Sequence, residues 1–210
     1  RSKNSPDKEI LFFDDVAYTW RDIDRCAQII ASDLEKAGVH KGSHVGVLSK
    51  NSINWVLAFY AIQKLGAIIV LLNFALNPEE IAMYSKIGDI THLCLGDSPS
   101  VKDFETFTDK VSNGDSKISF VYDIRSAVDF RNRYAELPEV ERNHYAFCDP
   151  DDPSVMIFTS GTTGLPKGVL SSSHDRITNC RIMAREMHTD EDDKICLFLP
   201  LCHIFGFGTG

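Results

Sequence analysis

Six consecutive apolar residues, Ala67 to Leu72 (AIIVLL), constrain this chain more than any other stretch. A strand with one wet face alternates polar and apolar side chains, whereas an unbroken apolar run leaves no face for water. The run follows a nearly all-apolar helical segment, Ser52 to Leu65, which Gly66 ends. It precedes Asn77-Pro78-Glu79-Glu80, which offers an N-cap, a proline at the first helical position and two acids in the first turn. A buried strand with a helix on either side of it in sequence is the pattern of parallel βαβ units whose helices cover the sheet.

The same alternation runs along the rest of the chain. Ile10–Phe13 and Val16–Tyr18 read as a hairpin. Thr19, with Asp22 three residues on, starts a helix whose apolar face is Ile23, Cys26, Ile30, Leu34 and Ala37. Further strands are expected at His44–Leu48, Thr91–Leu95, Ile118–Tyr122, Ser154–Phe158, Val169–Ser171 and Ile195–Leu199, with a helix from Ser173 to Met187. Residues 97–117 are polar and fit one surface helix with loops, and 123–153 form a charged excursion ending in the acidic run Asp149–Pro153. The expected fold is α/β, with mostly parallel β-sheet layers and helices on both faces.

Composition removes several function classes. The formal net charge is −8, so the basic footprint of a nucleic-acid binder is absent, and an anionic ligand must be held by local charge and backbone dipoles. The six cysteines form no CxxC pair, which argues against zinc and for a reduced, cytoplasmic protein. A Cys202–His203 nucleophile pair is set aside because neighbours on a strand point to opposite faces. RSKNSPDKE at the N-terminus lacks the apolar core of a signal peptide. Gln63, Lys64 and Gly66 interrupt the most apolar region, so no membrane span is expected.

The stretch richest in chemistry is VMIFTSGTTGLPKGV, Val155 to Val169. Small residues expose backbone N–H groups, glycines permit the dihedrals that turn them inward, and hydroxyls add donors, so Thr159 to Gly164 suits a polyphosphate. Lys167 adds a mobile charge behind Pro166. The Walker spacing fails: Gly161 and Gly164 lie too close, and Gly168 occupies the place of the magnesium-binding hydroxyl. On composition alone, a flexible Gly/Thr hairpin between two strands competes with the phosphate reading.

The string Phe158 to Val169 closely resembles the phosphate-binding motif of the adenylate-forming superfamily, which includes acyl- and aryl-CoA synthetases, peptide-synthetase adenylation domains and beetle luciferases. Leu199-Pro200-Leu201-Cys202-His203-Ile204-Phe205-Gly206 resembles its next motif, and Asp151-Asp152-Pro153 and His174 fall where such sequences carry similar residues. Ala17-Tyr18-Thr19-Trp20 and Leu65–Val70 resemble its two earliest motifs. The resemblance spans nearly the whole chain and favours the phosphate reading over the hairpin.

The resemblance implies an enzyme that joins a carboxylate to the α-phosphate of ATP, releases pyrophosphate and passes the acyl group to a thiol such as coenzyme A. A carboxylic acid of pKa about 4–5 is ionised at neutral pH, so the first step needs alignment and charge neutralisation rather than a general base. By resemblance, Thr159, Ser160, Gly161, Thr162, Thr163, Gly164 and Lys167 bind the ATP phosphates, with Mg2+ but with no metal ligand inside residues 1–210. His203 borders the carboxylate as the catalytic residue, and Ile204, Phe205 and Gly206 line the acyl pocket. Peptide-synthetase domains carry an aspartate shortly after this motif; none stands between His203 and Gly210, which favours a fatty or aromatic acid.

The resemblance further implies that residues 1–210 are the N-terminal part of the large ATP/acyl-substrate domain, with the rest of it and a small C-terminal domain beyond. Alone, such a piece is expected to be inactive. The alternatives are a truncated non-catalytic binding module of the same fold and a peptide-synthetase-type adenylation domain. The expected partners are a small carboxylic acid, ATP and coenzyme A; oligomeric state is left open.

Overall fold

The structure, a computed structural model, describes residues 5–125, 145–159, 165–190 and 192–209. Strands β1 (Glu9–Phe13) and β2 (Val16–Thr19) form a separate antiparallel pair. Thr19 and Asp22 then close a capping box that starts α1 (Trp20–Lys36). β3 (His44–Leu48), α2 (Ile53–Lys64), β4 (Ile68–Leu72), α3 (Pro78–Ile87) and β5 (His92–Leu95) follow in strict alternation. α4 (Phe104–Asn113) leads to β6 (Phe120–Asp123), and β7 (Pro153–Thr159), β8 (Lys167–Ser172), α5 (Ser173–Glu186) and α6 (Ile204–Thr209) complete the order.

The six-stranded sheet has the order β6-β5-β3-β4-β7-β8, parallel throughout except for β8, which runs antiparallel to β7. Every residue of β4 is buried. Its Ile69 and Leu71 join one core beneath α1 and α2, and its Ile68, Val70 and Leu72 join the other beneath α3 and α4. That split is the physical meaning of the unbroken AIIVLL run: the two-residue period sends alternate side chains into two dry layers. Burying each such side chain contributes roughly 1.5–3 kcal/mol before entropy is counted.

α2 ends as its sequence requires. Gly66 takes φ +65°, its N–H donates to Gln63 O at 3.0 Å, and the N–H of Ala67 donates to Ile62 O at 3.2 Å. This is the Schellman closure, which favours a residue without Cβ. Residues 145–148 lie against this corner: the N–H of Ala146 donates to Lys64 O at 2.8 Å. The ammonium of Lys64 sits 2.7 Å from Asp24 Oδ1 and 4.0 Å from the Tyr145 ring centroid. Burial pulls the Lys64 pKa down, and this outweighs the opposing pull of Asp24.

Two expectations need correction. Ile195–Leu199 forms no strand: Ile195 is 57% and Phe198 81% exposed, and the segment has no ladder partner among the described residues. An apolar run yields a strand only where a neighbour takes up its N–H and C=O groups. The strand expected at Ile118–Tyr122 begins at Phe120 instead: the N–H of Ile118 donates to the Ser116 hydroxyl at 3.0 Å rather than to a neighbouring strand. β8 and α5 are open elements. No residue of α5 is buried, Val169 and Leu170 are 52% and 46% exposed, and β8 has no neighbour on its outer side among the described residues. Among those residues, no helix is long and apolar enough to cross a membrane.

Candidate functional site

The parallel strands end along one rim. Leu48 pairs with Leu72 and Leu95, and Leu95 pairs with Asp123, while β7 runs on to Thr159. In open α/β sheets this carboxyl rim is where ligands sit. Here β7 turns back into β8, and the register sets Thr159 opposite Lys167. The Thr159 hydroxyl donates to Lys167 O at 3.5 Å, and both residues are exposed. Ser160, Gly161, Thr162, Thr163 and Gly164 lie outside the described residues. The end of β7 is held by Phe158, half-buried and packed edge-on against Tyr84 with ring centroids 4.6 Å apart. Phe158 is therefore a packing residue of the hairpin.

The second group is a turn followed by a short helix. His203 donates its backbone N–H to Pro200 O at 3.0 Å, and its own carbonyl accepts from the N–H of Phe207 at 2.9 Å. The N–H of Phe205 donates to His203 Nδ1 at 3.4 Å. Because Nδ1 is an acceptor there, the neutral ring carries its proton on Nε2, and the side chain is exposed. Ile204 and Phe205 are 45% and 58% exposed. Gly206 is buried against the Pro200 carbonyl oxygen, which a Cβ would strike, so its bareness lets α6 close on the turn. Phe207 anchors α6 between Trp55 and Phe59, at centroid distances of 6.1 and 5.5 Å.

Cys202 and His203 lie on this turn rather than on a strand, so the earlier ground for separating them does not apply. They are separated by environment. Burial pushes the Cys202 thiol up, while the Nδ1 of exposed His203 accepts from Phe205. Asp151, Asp152 and His174 gather at the other end of β7, which Pro153 begins. His174 Nδ1 is 2.9 Å from Asp151 Oδ1, and Lys41 Nζ is 2.7 Å from Asp152 Oδ2. The hydrogen bond from Lys41 holds the Asp152 carboxyl below its usual range.

Asn51 was not singled out by any sequence pattern. It follows β3 and reaches across to the turn: its Nδ2 donates to Leu199 O, and its Oδ1 accepts from the N–H of Leu201, each at 2.8 Å. This places the His203 turn on the carboxyl rim of β3. Thr159 and Lys167 stand at the same rim on β7 and β8.

The sequence matches the profile of the AMP-binding enzyme family over residues 1–210. It is 31% identical to an acyl-CoA ligase, sidI, of Beauveria bassiana, over 92% of this chain and 35% of that protein. It is 27% identical to a 2-succinylbenzoate–CoA ligase of Listeria monocytogenes, over 98% of this chain and 39% of that protein. The chain thus spans 35 to 39% of the length of these two relatives. Among solved structures, the N-terminal domain of FACL13 from Mycobacterium tuberculosis superposes with a TM-score of 0.82 at 24% identity, over 99% of this chain and 51% of that one. An o-succinylbenzoate CoA synthetase from Bacillus subtilis, solved with ATP and magnesium, superposes with a TM-score of 0.77 at 22% identity, over 99% and 51%.

Proposed function

The chain belongs to the AMP-binding enzyme family, and from that membership we propose that the complete protein activates a fatty or aromatic carboxylic acid with ATP and transfers it to coenzyme A. The observation that supports this reading is the shared rim: Thr159 and Lys167 face each other across a ladder at the end of β7, and Asn51 ties the His203 turn to the same edge of the sheet. Thr159, Ser160, Gly161, Thr162, Thr163, Gly164 and Lys167 hold the phosphates through hydroxyl, backbone and ammonium donors. Mg2+ arrives on the triphosphate, as it commonly does where phosphates supply most of its ligands. The acid's carboxylate accepts a hydrogen bond from His203 Nε2–H, which orients it and spreads its charge, and Ile204, Phe205 and Gly206 border the acyl group.

The test is carboxylate-dependent exchange of labelled pyrophosphate into ATP by the complete gene product. Exchange with fatty or aromatic acids is the expected result, and none across a broad panel of acids would reject the reading. His203→Ala should raise the KM for the acid and leave the KM for ATP nearly unchanged. Equal losses for both substrates would make His203 a structural residue or a phosphate ligand.

A further inference from the structure

We infer that Asn51 is a positioning residue for His203, clamping the turn that presents the imidazole at the rim. A carboxamide presents an N–H donor and a C=O acceptor side by side, spaced like those of a peptide group. Asn51 uses them on Leu199 O and the N–H of Leu201, the two-residue step at which a neighbouring strand would bond this backbone. The side chain therefore replaces a missing ladder on the segment that forms no strand of its own. Between the two clamped residues lies Pro200, whose carbonyl accepts the N–H of His203 and backs onto Gly206. Fixing Leu199 and Leu201 thus fixes the oxygen on which His203 is seated.

The clamp itself is anchored at both ends. Ahead of Asn51, the N–H of Lys50 donates to Asp97 O at 2.7 Å and that of Gly96 to Leu48 O at 2.9 Å. Behind it, the Ser52 hydroxyl caps α2 by accepting from the N–H of Trp55 at 3.1 Å. Asn51 stands on the short link between a strand end and a helix start, so its carboxamide is carried by rigid elements.

The kinetic arm of the test rests on the proposed acid activation; the spectroscopic arm does not. In the complete gene product, Asn51→Ala should lower kcat/KM for the acid by about tenfold or more, as small misplacements of a reacting group do. The KM for ATP should change by less than about twofold over the same comparison. Adding Asn51→Ala to His203→Ala should cost nothing further, because the clamp acts through the histidine. Full additivity of the two losses would overturn the inference. Independently of activity, Asn51→Ala should shift the ring 15N signals of His203 as the Phe205-to-Nδ1 bond loosens, and unchanged signals would also overturn it. Asn51→Asp keeps the acceptor and the size but loses the donor, and carries the same comparisons if the alanine variant does not fold. Absence of exchange in the unmodified protein would reject the functional reading and leave the ring-signal result to decide the clamp.

Discussion

Gly66→Ala tests how α2 hands over to β4. Gly66 sits at φ +65°, where an L-residue pays about 1–2 kcal/mol. A Cβ there would also lie 2.6 Å from Cys148 Sγ and 3.3 Å from Ala146 Cβ. The thiol must rotate or residues 145–148 must lift, and an off-rotamer side chain adds roughly 0.5–1.5 kcal/mol. The two parts sum to about 1.5–3.5 kcal/mol, which for a chain of this size is a drop in Tm of roughly 3–14 °C. Urea unfolding and a thermal scan would measure it. Adding Cys148→Ala should return about 1 kcal/mol by clearing the thiol, while the backbone part persists. A loss below about 0.5 kcal/mol, or complete recovery in the double variant, would refute the account of strain at this corner.

In the complete gene product, alanine at both Thr162 and Thr163 should raise the KM for ATP more than Lys167→Ala, because two hydroxyl donors outweigh one screened, solvated charge; the reverse order would make the loop a charge clamp. Ser172→Ala should cost about 1 kcal/mol in chemical denaturation by removing the cap of α5. The backbone N–H and hydroxyl of Ser172 hold the Asp175 carboxyl below its usual range. The stability from that pair is therefore present above the ordinary carboxylate pKa and is lost as pH falls through the lowered one. Acid titration of Asp175→Asn should lack this component, and identical acid profiles would reject it. Lys64→Met should change stability by less than about 1 kcal/mol, since the cost of burying the ammonium offsets its bond to Asp24, whereas Asp24→Asn should cost roughly 1–3 kcal/mol. Because the Lys64 pKa is lowered, its charged form costs stability at neutral pH, and that cost should fade as pH rises from the lowered value to the ordinary lysine pKa.

Local signals carried most of the fold. The capping pairs Thr19/Asp22 and Asn77/Glu80 start α1 and α3 where the residues indicate, because those bonds span three residues and need no tertiary partner. β4 was readable from its apolar run for the reason its side chains feed two cores. α1 was only half readable: Ala27, Ile29 and Ala31 are buried off the periodic face, because α1 is covered by neighbours that a single helix cannot announce. Ile195–Leu199 misled because its pattern is that of a strand and its partner is not written locally. The site divides in the same way. Thr159 and Lys167 stand out by composition, whereas Asn51 looks like an ordinary turn residue, since its two bonds reach residues 148 and 150 positions away.

The open outer edge of β8 has a kinetic consequence. Among the described residues its backbone groups have no strand partner on one side, Val169 and Leu170 lie open beside them, and Lys167 is its single charge. Such an edge is a template for a like strand from another molecule. Pairing between molecules is second order in protein, whereas folding is first order, so the wasteful route gains as concentration rises. Refolding yield should fall when the chain is refolded more concentrated, and Leu170→Lys, which sets a charge on the edge, should flatten that dependence.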